Sequence, residues 1–320
     1  ITSHLIFSRD GFCFFCLAIL HGIPQLHWRP DVVHCHDWHT AALPAFIKTR
    51  VAHTPAWRSM ATLFTIHNLA YQGRYKSHLL PSTGFGWDLF TPDCIEFYGD
   101  FNLMKAGIAF ASKINTVSPR YAKEIQTPEY GEGLDGLLKK REKSLTGILN
   151  GVDYTVWNPL TDKHIPAPYS FDDLSGKTVC KKALQSTLGL PQRDVPVFGM
   201  VSRLYWQKGI DLLVGAIDRI MQHDVQMVIL GSGDPYFEQP LWQAAQRYPD
   251  KMRIVFRFDV ALSHLIEAGS DFFVMPSRFE PCGLSQLYSL AYGTIPVVRE
   301  TGGLADSVTD TTDSTLAKGT

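Results

Sequence analysis

The chain has 320 residues, 45% of them hydrophobic and 19% charged, which is enough for two domains with a core each. Thirty Lys and Arg stand against 31 Asp and Glu, and the formal charge of −1 leaves no electrostatic footprint for nucleic acid or an anionic membrane. No apolar run reaches the roughly 18 to 20 residues that span a bilayer, and six scattered cysteines fit reduced thiols in a cytoplasmic compartment better than a disulfide framework.

Residues 9–20 superficially look like a signal peptide. No small-residue cleavage site follows, and His21-Gly22 closes the run like a helix C-terminus, so a buried helix is expected. Cys13 and Cys16 have the spacing of a redox pair, yet their large apolar neighbours favour a plain helix. Further along, residues 31–35 read as a strand, 40–49 as a helix, 60–66 as a strand, 103–111 as a helix, 113–117 as a strand, 119–126 as a helix and 145–149 as a strand. Residues 150–174 are rich in Pro, Asp, Asn and aromatics without periodicity and read as a hinge.

The second half is clearer. Apolar, β-branched runs at 195–202, 226–231, 252–256, 272–276 and 295–299 alternate with helical stretches at 209–222, 236–247, 261–268 and 284–292. That alternation means βαβ units and parallel sheets covered on both faces. The expected fold is α/β: two doubly wound domains, residues 1–155 and 156–320, facing each other across a cleft. The chain begins at Ile1 rather than Met, stops at Lys318-Gly319-Thr320 and opens on no phosphate loop, so both domains are expected to be cut short.

The residues with chemistry fall at strand ends, where open α/β sheets bind ligands. Pro276-Ser277-Arg278-Phe279-Glu280-Pro281-Cys282-Gly283-Leu284 sets a carboxylate, a proline stop and a glycine turn between a strand and the next helix. It reads either as an ordinary turn or as an anion-binding helix start. Arg203 and Lys208, five residues apart at another strand end, suit a diphosphate: a guanidinium fork beside a point charge. The plainer alternative is a solvated helix start. His34-Cys35-His36-Asp37-Trp38-His39 has ample ligands for zinc, but side chains 34 and 36 point one way and 35 the other. Asp37 as a helix cap and Trp38 as packing is the blander account. His67 and Asn68 end the strand at 60–66, and the placement makes His67 a site candidate. Gly231-Ser232-Gly233-Asp234-Pro235-Tyr236 resembles a dinucleotide fingerprint, but Tyr236 stands where the third glycine belongs, so a nicotinamide oxidoreductase is poorly supported.

Taken together, residues 34–40, 64–73, 116–119, 148–153, 202–204 with 207–209, 276–284 and 301–306 resemble the bacterial glycogen synthase and plant starch synthase family, glycosyltransferase family 5, in that family's order. The resemblance implies a GT-B architecture, two Rossmann-like domains with the active site in the cleft. It implies an enzyme that moves glucose from ADP-glucose to the non-reducing 4-OH of an α-1,4-glucan with retention. It implies no cofactor and no metal, and a cytoplasmic site, or a plastid one in a plant. By motif, Arg203 and Lys208 would hold the donor phosphates. Glu280 and the amides of Cys282, Gly283 and Leu284 would hold the glucose hydroxyls, and His67 would lie near the reacting carbon. Asp37 and Asn150 would line the same site, and Phe258 would stack on the nucleobase. Arg257-Phe258 stands where many members have Gly-Tyr, and Tyr288 where many other GT-B transferases carry a second Glu. The family's Lys-x-Gly-Gly-Leu loop has no counterpart, which leaves open a catalytically inactive glucan-binding fragment, alongside a GT-B transferase using UDP-glucose.

Overall fold

The computed structural model describes residues 9–26 and 28–317; the chain ends at Ile1 and at Lys318-Gly319-Thr320, where truncation is expected, lie outside the described residues. The chain divides into two compact units, Ile1–Leu149 and Asn150–Thr320. The first carries strands β1 (Val32–His36), β2 (Ala61–Ile66), β3 (Arg74–Lys76), β4 (Glu96–Phe97), β5 (Asp100–Asn102), β6 (Lys113–Thr116) and β7 (Leu145–Gly147). Of these, β1-β2-β6-β7 form a wholly parallel sheet in chain order. The second unit carries β8 (Val197–Val201), β9 (Gln226–Leu230), β10 (Met252–Val255), β11 (Phe272–Met275) and β12 (Ile295–Val298). Their order is β10-β9-β8-β11-β12, all parallel, so the winding reverses between β8 and β11.

Period-two alternation sorts the core of the second unit into two layers. Val228 and Leu230 of β9 join Val197, Phe273 and Tyr292 on one face, while Met227 and Ile229 join Leu213, Ile217 and Phe237 on the other. Every residue of β9 is buried, as a central parallel strand requires. In the first unit Phe64, Ile66 and Ile114 pack with Phe46, Leu103 and Ile108 of the flanking helices.

Several expectations shift. Helix Arg9–Gly22 buries only one face: Cys13, Cys16 and Leu20 are inside, whereas Phe14 is 71% and Phe15 50% exposed. Burial pushes the Cys16 thiol up, which keeps it a packing group rather than a nucleophile. The helix expected at 40–49 starts earlier and runs as Asp37–Thr40, Ala42–Phe46 and a π turn, Ile47–Val51. Helix Ser175–Thr187 and the small antiparallel sheet β3-β5-β4 were not legible in the sequence. Residues 150–174, expected as a hinge, hold no helix or strand and belong to the second unit. Asp162 Oδ2 accepts from His264 Nδ1 at 2.8 Å and from the Tyr292 hydroxyl at 2.5 Å, and Trp157 stacks between His264 and Tyr288, with ring centroids 3.9 Å from each.

Candidate active site

The reversal between β8 and β11 opens the carboxyl ends of these neighbouring strands, and the two loops that leave them carry the strongest charges. After β8 the chain passes through Arg203 and a short 3-10 turn, Trp206–Lys208, to Gly209. Gly209 has φ +66°, and a Cβ there would lie 2.1 Å from the Pro276 carbonyl oxygen, so glycine lets the β8 loop press against the β11 loop. The close approach brings Lys208 Nζ to 2.6 Å from Glu280 Oε2, a pair whose side chains are 19% and 8% exposed. Ser277 Oγ donates to the same carboxylate oxygen at 2.9 Å. Gly302, φ +46°, would place a Cβ 2.0 Å from the Glu280 carbonyl and so admits the turn after β12 against the same loop.

Two pockets open at this edge. One, of about 200 Å³, is lined by Ser202, Arg203, Lys208, Ser277 and Ser285. Its neighbour, of about 290 Å³, shares Arg203 and adds Gly231, Phe258, Glu267 and Tyr288. The loop carrying Phe258, itself 89% exposed, is held by the Arg257–Asp259 ion pair at 2.7 Å, and Asp259 caps the next helix by accepting from the Leu262 amide. Glu267 is wholly buried, and burial raises its carboxyl to about 8. Hydrogen bonding agrees with a protonated acid. Ser289 Oγ lies 2.7 Å from Glu267 Oε2 and 2.8 Å from the Ser285 carbonyl, and one hydroxyl proton serves only one of them unless Glu267 keeps its own.

Asn150 begins this unit, and its backbone and side chain both hydrogen-bond the Cys282 thiol. Burial raises that thiol, and the Asn150 contacts offset part of the rise. Cys282 is therefore buried packing, and its backbone, with those of Gly283 and Leu284, leads into helix Ser285–Ala291. The fingerprint-like segment at 231–236 serves the backbone. Leu204 and Gly233 form a parallel bridge, a Cβ at Gly231 would fall 1.8 Å from the Ser202 carbonyl, and Asp234 caps helix Pro235–Arg247.

The edge of the first sheet is built from different groups. Asp37 is not the expected helix cap: His36 holds that position, and Asp37 takes the left-handed conformation at φ 51°. That kink turns the Asp37 side chain to the end of β2, where Oδ1 accepts from the His67 amide at 2.8 Å. His67 Nε2 lies 3.0 Å from His36 Nδ1. The His34 ring lies 4.1 Å from that of His36, tilted by 36°, and its Nε2 lies 2.6 Å from Thr65 Oγ1, which donates to Asn115 Oδ1 at 2.6 Å. Cys35 points the other way into the core, where burial pushes its thiol up to about 12. Among the described residues no group of three or more His, Cys, Asp or Glu is placed to hold a metal ion.

The structure thus gathers Arg203, Lys208, Glu280, Phe258 and the 282–284 segment at one sheet edge, and Asp37 with His67 at the other. Sequence reading missed His36, Ser277 and Glu267. His36 and Ser277 stood inside segments singled out there without a role of their own, and Glu267 left only the trace of a lone acid in the apolar helix Val260–Gly269.

Residues 7–140 match the family model described as the starch synthase catalytic domain, and residues 189–320 match glycosyl transferases group 1. The chain is 48% identical over 320 residues to a glycogen synthase of Moorella thermoacetica, covering 97% of this chain and 66% of that one, so it spans just under two thirds of that relative's length. It is 47% identical over 320 residues to a glycogen synthase of Desulforamulus reducens, covering 96% of this chain and 67% of that one. Among solved structures, the catalytic domain of starch synthase IV from Arabidopsis thaliana bound to ADP and acarbose superposes with a TM-score of 0.89 at 38% identity, over 96% of this chain and 64% of that one.

Proposed function

Because the chain belongs to the bacterial glycogen synthase and plant starch synthase family, of GT-B architecture, we propose that it carries glucosyl transfer from ADP-glucose to the non-reducing 4-OH of an α-1,4-glucan, with retention at the anomeric carbon. The observation that carries this reading is the Lys208–Glu280 pair at the switch point of the second sheet, with Arg203 lining both adjoining pockets. An ammonium has three donors, and Glu280 takes one, which leaves two for a diphosphate oxygen. Arg203 adds a bidentate fork. Lys208 and Ser277 both meet the Glu280 carboxylate at Oε2, so Oε1 is the oxygen left for the glucosyl hydroxyls.

In this reading the bond between the anomeric carbon and the β-phosphate breaks first, leaving an oxocarbenium-like centre and a diphosphate whose charge Arg203 and Lys208 neutralise. The acceptor 4-OH attacks from the same face and passes its proton to the departing phosphate. Two fixed cations do the work a divalent ion does elsewhere, so no cofactor enters. Phe258 supplies a face for the adenine, Asn150 and the Cys282, Gly283 and Leu284 backbone line the donor site, and Asp37 and His67 serve the reacting sugar. The ADP bound to the Arabidopsis starch synthase IV domain supports the choice of base. The bacterial relatives, and the absence among the described residues of any helix long and apolar enough to cross a membrane, support a cytoplasmic site.

Calorimetric titration of ADP and UDP into the chain tests the donor assignment. ADP should bind more tightly, and Arg203→Ala should weaken it by about one to two orders of magnitude. Unchanged ADP binding in that variant would overturn the site.

A further inference from the structure

One group at the first sheet edge has no part in the reading above: the His36 ring. The register of β1 and β2 pairs His36 with Thr65, so side chains at 34, 36, 65 and 67 share one face, and Asn115 of β6 pairs with Thr65 beside them. The hydrogen bonds along this row have an order. Thr65 gives its only proton to Asn115, so it accepts from His34, which must carry its proton on Nε2. His36 is held at its backbone by Thr40, whose hydroxyl accepts from the His36 amide at 2.6 Å and donates to the His36 carbonyl at 2.9 Å. Its ring lies against His34 on one side and reaches His67 on the other.

We infer that His36 is a positioning residue for His67: the 3.0 Å contact between His36 Nδ1 and His67 Nε2 fixes the rotation and tautomer of the His67 ring at the end of β2. Two consecutive residues then hold His67 twice, Asp37 through its backbone amide and His36 through its ring. Asp37's left-handed turn makes this possible, because consecutive side chains of a regular strand point to opposite faces. With Nε2 engaged, Nδ1 is the His67 ring nitrogen that no hydrogen bond among the described residues occupies, and so the one presented outward. A single proton between the two rings makes their tautomers complementary. The surroundings favour a neutral His36: partial burial lowers its pKa first, His34 and His67 lower it further, and only Asp37 pulls it up.

The importance of this tether for transfer rests on the proposed function; the tether itself does not, and the test separates the two. Histidine-labelled chain examined by long-range nitrogen–proton NMR should show one dominant tautomer for His67. In His36→Leu the two His67 tautomers should interconvert and average. In His36→Asn, whose side-chain amide reaches the place of Nδ1, the single tautomer should return. Should His36→Leu fail to fold, His36→Ala gives the same readout at this exposed position. In the transfer assay His36→Leu should lower kcat roughly ten- to a hundredfold, with KM for ADP-glucose changed less than about twofold and His36→Asn restoring most of the loss. A His67 tautomer unaltered by His36→Leu would overturn the inference whatever the activity. Absent transfer in the parent, with the tautomer shift intact, would count against the proposed function alone.

Discussion

Among the described residues of the first unit the four parallel strands lie side by side in chain order, and their exposed edge carries imidazoles, a carboxylate and a hydroxyl that hydrogen-bond within that edge. In the second the winding reverses between β8 and β11, and the loops flanking that reversal carry Arg203, Lys208 and Glu280. The contrast has a physical origin. At a switch point two adjacent loops diverge to opposite faces of the sheet and leave a crevice, so charged groups can face a ligand while staying partly shielded from water. At an edge without reversal the side chains sit close enough to satisfy each other. On this account the second edge binds charge and the first orients its own imidazoles.

The largest effect should come from breaking the charged edge. Lys208→Ala should lower kcat/KM about a hundred- to a thousandfold and also cost stability, because the shielded Glu280 carboxylate loses its counter-ion. Adding Glu280→Gln to that variant should recover much of the melting temperature and none of the activity, which thermal denaturation and the transfer assay together would show. His67→Ala at the first edge should reduce turnover while leaving ADP affinity and its salt dependence within a few-fold of the parent. An equal loss of ADP affinity in both variants would break the comparison.

Next in size is a backbone effect. Gly302→Ala would force a Cβ to within 2.0 Å of the Glu280 carbonyl at φ +46°, and should destabilise the chain by on the order of 2 to 4 kcal/mol in a urea titration. Gly136, where a Cβ meets nothing within 4 Å, is the control: Gly136→Ala should change stability by no more than about 1 kcal/mol.

Burial raises the Glu267 carboxyl from 4.5 to about 8, so the folded chain keeps a proton that the unfolded chain releases within that window. Its contribution to stability is therefore full below pH 4.5, falls as the pH rises, and is lost above pH 8. Lys177, lowered to about 8 mainly by burial, works oppositely: between pH 8 and its ordinary value of 10.5 stability rises with pH. Glu267→Gln should flatten the fall in unfolding free energy between pH 5 and pH 8, a difference on the order of a few kcal/mol from the parent in urea titrations across that range. A parallel pH profile in parent and variant would mean that Glu267 is ionised in the fold.

Smallest is Phe258, whose exposed ring is the proposed stacking face for the nucleobase. Phe258→Ala should weaken ADP by about 1 kcal/mol and leave inorganic pyrophosphate binding unchanged in calorimetry.

The sequence made most of the second unit legible because its strands are apolar runs with helices between them, and because Arg203, Lys208 and Glu280 each follow such a run. Where signals failed, the reasons are physical. Helix Ser175–Thr187 buries only Gly176, Cys180, Leu184 and Gln185, too sparse an apolar stripe to show a period. Strands β3, β4 and β5 have two or three residues each, too few for alternation. Asp37 in the pattern before a helix reads as a cap, and only its left-handed backbone turns it toward His67 instead. The His36–His67 contact joins positions 31 residues apart and depends on the register of β1 against β2, which no local pattern encodes.

The measurement that bears most directly on the central claim is transfer of radiolabelled glucose from ADP-glucose onto glycogen by this chain, with UDP-glucose in parallel and Lys208→Ala as control. The account predicts label incorporated from ADP-glucose in preference to UDP-glucose, and reduced about a hundredfold or more by Lys208→Ala. Glycogen bound without incorporation from either donor would contradict it and leave a glucan-binding protein in its place.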